Sequence, residues 1–178
     1  MNDLSHYSAV ERLRDGQPVE IRALHPEDRE GMLAAVDHTS ERSLYRRFFG
    51  AKRHFTDKEI DFFLNVDFVD HVALVAVANE GEGRVIVGGG RYVVTRPGQA
   101  EVAFAVVDQY QGQGIGAALM RHLVGIARAA GLRELTAEVL PDNAAMLKLF
   151  ERCGLCLVKR REAQVVHVTL HMSAGTSS

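Results

Sequence analysis

From His71 to Val107 the chain runs through three strand-like apolar stretches joined by short turns, and directly after Gly114 its hydrophobic period becomes helical. Residues 71–78 (HVALVAVA) read as a buried strand. Glu80-Gly81-Glu82-Gly83 is a turn, and residues 85–95 form a second strand interrupted by Gly88-Gly89-Gly90. Arg96-Pro97-Gly98-Gln99 then turns the chain into a third strand over 100–107. Connections this short imply an antiparallel meander. Past the meander, Ile115, Leu119, Leu123, Ile126, Ala127 and Ala130 fall on one helical stripe, which Gly131 ends as a C′ residue. Strands are expected at 135–140, 155–159 and 165–172, with a helix over 143–153 between the first two.

The front of the chain carries a strand at 19–23, then a helix start at His25-Pro26-Glu27-Asp28, where proline and two carboxylates suit the first turn. A short helix is expected over 40–48. Thr56-Asp57-Lys58-Glu59 has the spacing of a capping box that opens a third helix. Residues 1–18 read as an N-terminal arm, 19–172 as one α/β domain and 173–178 as a flexible tail. With 178 residues, 47% of them hydrophobic, the chain can bury its own core without disulfides or a structural metal.

Lys and Arg total 21 against 23 Asp and Glu, a net charge of −2 that argues against a nucleic-acid binder. No apolar run reaches the roughly 18 residues a membrane span needs. The first residues show no signal-peptide pattern, so a cytoplasmic location is expected. The two cysteines make no disulfide framework, and the Cys153-Gly154-Leu155-Cys156 pair at a helix end reads as packing rather than a zinc or redox site. The eight histidines lack metal-ligand spacing, so no metal is expected.

The most informative motif is Gln111-Gly112-Gln113-Gly114-Ile115-Gly116, between a strand and a helix. Glycines let the backbone approach a ligand, and the unpaired N–H groups of a helix start favour phosphate. A dinucleotide-binding loop fits Gly112, Gly114 and Ala117, but four residues separate the strand from the first glycine and the lead-in is antiparallel. A Walker A loop would need a terminal Gly-Lys-Ser/Thr, which is missing. A glycine turn that merely packs helix on strand is the plain alternative. The motif resembles the Q/R-x-x-G-x-G/A loop of the GNAT superfamily of N-acetyltransferases. Asn143 to Leu155 likewise resembles that family's N-x-x-A-x-x-x-Y-x-x-x-G-F segment. Leu13-Arg14-Asp15-Gly16, Pro26-Glu27-Asp28 and Ser43-Leu44-Tyr45-Arg46-Arg47-Phe48-Phe49 look like bacterial Pat-type protein lysine acetyltransferases, here as the catalytic domain alone.

This resemblance implies a mixed, mostly antiparallel central sheet with flanking helices, and acetyl-CoA as co-substrate. It implies that the backbone of Phe104, Ala105 and Val106 pairs with pantetheine, where the strand splays from the one at 135–140. The pyrophosphate would lie on Gln111, Gly112, Gln113, Gly114, Ile115, Gly116 and Ala117, and Asn143 near the pantetheine arm. Asn143 is equally a helix cap. A lysine amine with a pKa of about 10.4 is almost wholly protonated at neutral pH, so a base is needed. Glu101 matches the family's glutamate base, though it also reads as a solvated strand-start carboxylate. Phe150 stands where many relatives have a tyrosine acid, and Tyr110, the nearest hydroxyl, reads as loop packing. His71 reads as structural, with a place facing the acceptor groove as the alternative. The Arg46-Arg47 and Lys52-Arg53 stretch reads as either an acceptor or 3′-phosphate contact or a solvated helix face. The implied acceptor is a protein lysine, preferably on an acyl-CoA synthetase. A small amine acceptor and a non-catalytic acyl-CoA sensor are the alternatives, and a strongly acidic acceptor pocket would favour the small amine.

Overall fold

The computed structural model describes residues 3–48 and 54–172, apart from the side chains of Tyr45 and Phe48. Its strands are β1 (Ser8–Arg12), β2 (Pro18–Ala23), β3 (His71–Glu80), β4 (Gly83–Arg96), β5 (Gln99–Val106), β6 (Glu134–Val139), β7 (Cys156–Glu162) and β8 (Val165–His171). They form one sheet in the order β1-β2-β3-β4-β5-β6-β8-β7. Every neighbouring pair is antiparallel except β5 and β6. A parallel pair needs a crossover, and helix α4 (Ile115–Ala129) supplies it. This is the mixed α/β sheet expected.

The sheet separates two apolar layers. On one face Val72, Leu74, Tyr92, Val102 and Phe104 pack against Leu119 and Leu123 of α4. On the other, Ala73, Val75 and Val77 meet Ile60, Leu64 and Leu24. The second layer is roofed by α1 (Arg29–Asp37), α2 (Glu41–Phe48) and α3 (Asp57–Leu64), while α5 (Ala144–Glu151) follows β6. Helix α3 starts with the full reciprocal box: Thr56 Oγ1 accepts from Glu59 N at 3.2 Å, and Thr56 N donates to Glu59 Oε2 at 2.9 Å.

Two local expectations change. The stretch read as an arm contains β1, which pairs with β2 from Ser8↔Arg22 to Arg12↔Pro18. Its residues alternate between exposed and half-buried, so no apolar signal announces it, and its hydrogen bonds come from β2. The arm is further tied to α4, because His122 contacts the Tyr7 hydroxyl through Nδ1 and Glu11 through Nε2 at 2.7 Å. Gly88-Gly89-Gly90 does not interrupt β4, which runs unbroken. A Cβ on Gly90 would stand 2.7 Å from the Phe104 ring, so the glycine is there to let β5's aromatic side chain lie on the strand. The bulge falls one residue before the glycines, at Val87, which has no partner because Ala76 pairs with Gly88 and Val77 with Ile86. Residues 173–178 and the Phe49, Lys52 and Arg53 part of the basic stretch lie outside the described residues.

Candidate active site

β5 and β6 pair over only three positions, Gln99↔Glu134, Ala100↔Leu135 and Glu101↔Thr136. Beyond Glu101 the strands part, and the β6-facing backbone groups of the Phe104, Ala105 and Val106 stretch have no ladder partner. At this fork opens a cleft of about 710 Å³ that takes in Glu101, the 102–106 backbone, the glycine loop, Asn143, Met146 and Phe150. The chain's polar backbone therefore meets a ready space instead of another strand.

The loop closes one end of the cleft. A short 3₁₀ turn, Asp108–Tyr110, leads from β5 to the glycines, and Gly114 sits at the N-cap of α4 in the left-handed region with φ 95°. That φ strains any residue with a Cβ, and no side chain caps the helix. The first intrahelical bond of α4 is from Ala118 N to Gly114 O, so the N–H groups of Ile115, Gly116 and Ala117 are the helix's orphan donors. Arg14, Arg46, Arg121, Arg128, Lys148 and Arg152 also line the cleft and suit an anionic ligand. Arg46 Nε is buried with no hydrogen-bond partner among the described residues, as is Gln113 Oε1. An unused buried guanidinium donor in a cation-lined cleft fits a phosphate-bearing molecule.

The remaining expected residues fall in the same place with mixed duties. Gln111 is a brace: its Nε2 donates to Val106 O at 3.0 Å and to Ser43 Oγ at 3.2 Å, tying the loop to β5 and α2. Asn143 is the N-cap of α5, accepting from Met146 N at 3.3 Å, and it also lines the cleft. Phe150 is buried against Phe104, 6.3 Å between ring centroids. The Tyr110 hydroxyl donates to Glu80 Oε2 at 3.2 Å. Cys153 and Cys156 are free thiols, and Cys153 Sγ donates to Phe150 O at 3.0 Å. Among the described residues no group of acids, histidines or cysteines could hold a metal ion. No helix among them is long and apolar enough to cross a membrane.

Glu101 lies exposed at the fork, on the sheet face that α2 and α3 cover. Its row across the sheet is His71↔Val93↔Glu101, and the next is Ala73↔Arg91↔Ala103. Pairing in register puts each row on one face, so Glu101, His71 and Arg91 share it. Arg47 reaches there from α2. Burial pulls its guanidinium down to about 10, against the opposing attraction of Glu101. Arg91 is pulled down to about 9 by burial and by the like charge of Arg47. Arg91 Nη1 donates to His71 Nε2 at 2.9 Å and to Phe63 O at 3.1 Å. Arginine can only donate, so His71 Nε2 must be an acceptor. The imidazole is accordingly pushed down to about 4 by burial and by Arg91, with Asp67 opposing. Arg91 escapes sequence reading because it sits in no motif. Although Arg47 lies in the basic stretch read as an acceptor contact, 43 residues separate the two and no spacing shows that they meet.

A forked sheet with a capless, glycine-opened helix at its base, and a carboxylate beside the fork, defines an acyltransferase of the acetyl-transferring kind. The comparisons with known proteins agree. Residues 38–155 match the Acetyltransferase (GNAT) family, and the chain belongs to it. It is 35% identical over 163 residues to the acetyltransferase PA5475 of Pseudomonas aeruginosa, covering 89% of this chain and 87% of that one. To the acetyltransferase Pat of Mycolicibacterium smegmatis it is 36% identical over 152 residues, 83% of this chain but only 44% of Pat. The GNAT domain of S. lividans PAT superposes with a TM-score of 0.86 at 32% identity, covering 96% of this chain and 100% of that domain. The protein is an acetyltransferase similar to the Pat catalytic domain. A yncA acetyltransferase from Salmonella typhimurium, solved with acetyl-CoA, shares the fold with a TM-score of 0.65 at 19% identity over 90% of this chain and 96% of that one.

Proposed function

We propose that the protein transfers acetyl from acetyl-CoA to the ε-amine of a protein lysine, preferably on an acyl-CoA synthetase, in the cytoplasm. The observation that carries this reading is the position of Glu101, beside the fork and open to the cleft. Acetyl-CoA supplies an activated thioester. The cationic cleft and the α4 donors at Ile115, Gly116 and Ala117 receive its phosphates, and the unpaired β5 backbone orients the pantetheine. Glu101, directly or through one water, takes the proton of the lysine ammonium, which frees the nitrogen lone pair. The nitrogen attacks the thioester carbonyl carbon, the C–N bond forms and the C–S bond breaks. The nitrogen's second proton passes to the water that serves the leaving thiolate. Phe150 has no proton to give and the Tyr110 hydroxyl is turned to Glu80, so the CoA thiolate is protonated by water.

Two observations weigh against a cationic small amine. The acceptor side of the cleft carries Arg47 and Arg91, and it is not the strongly acidic pocket a polyamine would need. The likeness to Pat also favours a protein acceptor. The free thiols suit a reducing compartment.

CoA release from acetyl-CoA, measured with an acyl-CoA synthetase and with a panel of small amines, tests this reading. Turnover on the synthetase should fall about a hundredfold in Glu101→Gln, while the thermal shift given by acetyl-CoA is kept. Turnover confined to the small amines would remove the protein acceptor. Full turnover in Glu101→Gln would remove the base.

A further inference from the structure

We propose that Arg91, with Arg47 beside it, forms a carboxylate subsite in the acceptor half of the cleft, which selects amines whose carrier places a carboxylate close by. The inference rests on the lysine-acetylating reading and narrows its substrate class.

Behind the Glu101 row lies a second, smaller cavity of about 130 Å³. It includes Arg91, Gly89 and Phe63, and it meets the main cleft at Arg47, Ala103 and Ala105, which line both. The residues flanking Arg91 on its face of the sheet are Ala73 and Ala103, with Gly89 two positions along the strand. None of these is tall enough to screen the guanidinium from the side.

The present partners of Arg91 are all uncharged. Nη1 serves the Phe63 carbonyl and the His71 nitrogen, and the guanidinium carbon stands 4.9 Å from the centre of the Phe63 ring. No carboxylate pairs with it among the described residues. Its Nε and Nη2 donors make no hydrogen bond there, yet neither is sealed from solvent. Those two nitrogens form the side-on fork that matches both oxygens of a carboxylate. Asp67, the acid next to His71, is occupied elsewhere, accepting from the N–H groups of Val69, Asp70 and His71 at 2.8 to 2.9 Å. Arg47 adds a second positive charge on the same side. A half-buried guanidinium with a free fork, a like charge for a neighbour and neutral walls is an anion site.

Glu101 and Arg91 are diagonal neighbours on adjacent strands, about 7–8 Å apart. An amine at Glu101 and a carboxylate at Arg91 therefore belong to one residue or to neighbouring residues of the acceptor. An acidic side chain beside the target lysine meets this in a protein, and the carboxylate of an amino acid meets it in a small molecule.

The test compares initial rates on lysine peptides identical except for Glu, Gln or Lys beside the target, together with free amino acids, for wild type, Arg91→Met and Arg91→Lys. The Glu peptide should exceed the Gln peptide about tenfold in kcat/KM, as expected of one charged hydrogen-bonded contact. That ratio should fall to near one in Arg91→Met, with Arg91→Lys, which keeps the charge but loses the fork, between the two. The acetyl-CoA thermal shift reports folding of each variant. Should Arg91→Met not fold, glutarate in the wild type must inhibit competitively against peptide, and its diamide must not. Equal rates on the Glu and Gln peptides would overturn the subsite and leave lysine acetylation standing. Arg91-dependent acetylation of free amino acids alone would keep the subsite and remove the protein acceptor.

Discussion

The two faces of β4 and β5 differ in what they ask of a side chain. Toward α4, Phe104, Val102 and Tyr92 are buried in close contact with Leu123 and Leu119, and even the glycines are fitted to their neighbours. Toward α2 and α3, the same strands present Glu101, Ala103, Ala105, Gly89 and Arg91 around open volume. Side chains alternate along a strand, so each residue on the sealed face has a neighbour on the working face. A sequence change one position along therefore moves from the stability of the protein to its chemistry.

The largest effect expected on the sealed face is from Phe104→Ala. Removing a ring that is 4% exposed should cost about 3–5 kcal/mol in denaturant unfolding. On the working face, acid should act through His71. Its folded-state pKa of about 4 lies below the ordinary value of 6.5, so between these pH values the unfolded chain binds more protons. Stability should then decline by up to about 3 kcal/mol as pH falls from 6.5 to 4, and unfolding curves of His71→Gln should decline less. Gly90→Ala comes next: a Cβ 2.7 Å from Phe104 and 3.1 Å from Leu123 should cost about 1–3 kcal/mol. Gly89→Ala, one residue away on the other face, meets only the Leu74 carbonyl at 3.4 Å. It should change stability by about 1 kcal/mol or less, a gain by strand propensity, while altering the acceptor KM. Equal stability losses for the two glycine variants would erase the distinction between the faces.

The same contrast explains what could be read from the sequence. The glycine loop, the α3 capping box and the Asn143 cap are local devices whose partners lie within a few residues, so spacing alone locates them. The meander is legible because 71–78 is apolar on both faces, as a central strand must be. β1 was not legible, because Val10 is 71% exposed and the strand exists by pairing with β2 rather than by burying a stripe. Gly88-Gly89-Gly90 read as a break because their reason is a ring on another strand. Glu101 and the loop could be placed by motif. Arg91, His71 and Arg47 become neighbours only when β3, β4 and α2 are assembled, and no spacing in the chain encodes that.

The three-pair joint between β5 and β6 also has a mechanical meaning. β1 to β5 form one leaf and β6 to β8 another, with the covalent strap of α4 crossing beneath. Near the joint the leaves are riveted by the Gln99 amide on Glu134 at 2.9 Å and by Arg133 N on Gly98 O at 2.8 Å. Load that spreads the fork falls first on the Glu101↔Thr136 pair and then runs back to this rivet, since no ladder rungs lie on the cleft side of Glu101 to share the strain. A molecule hydrogen-bonded along the open edge of β5 while touching the β6 side would act as a splint across the seam.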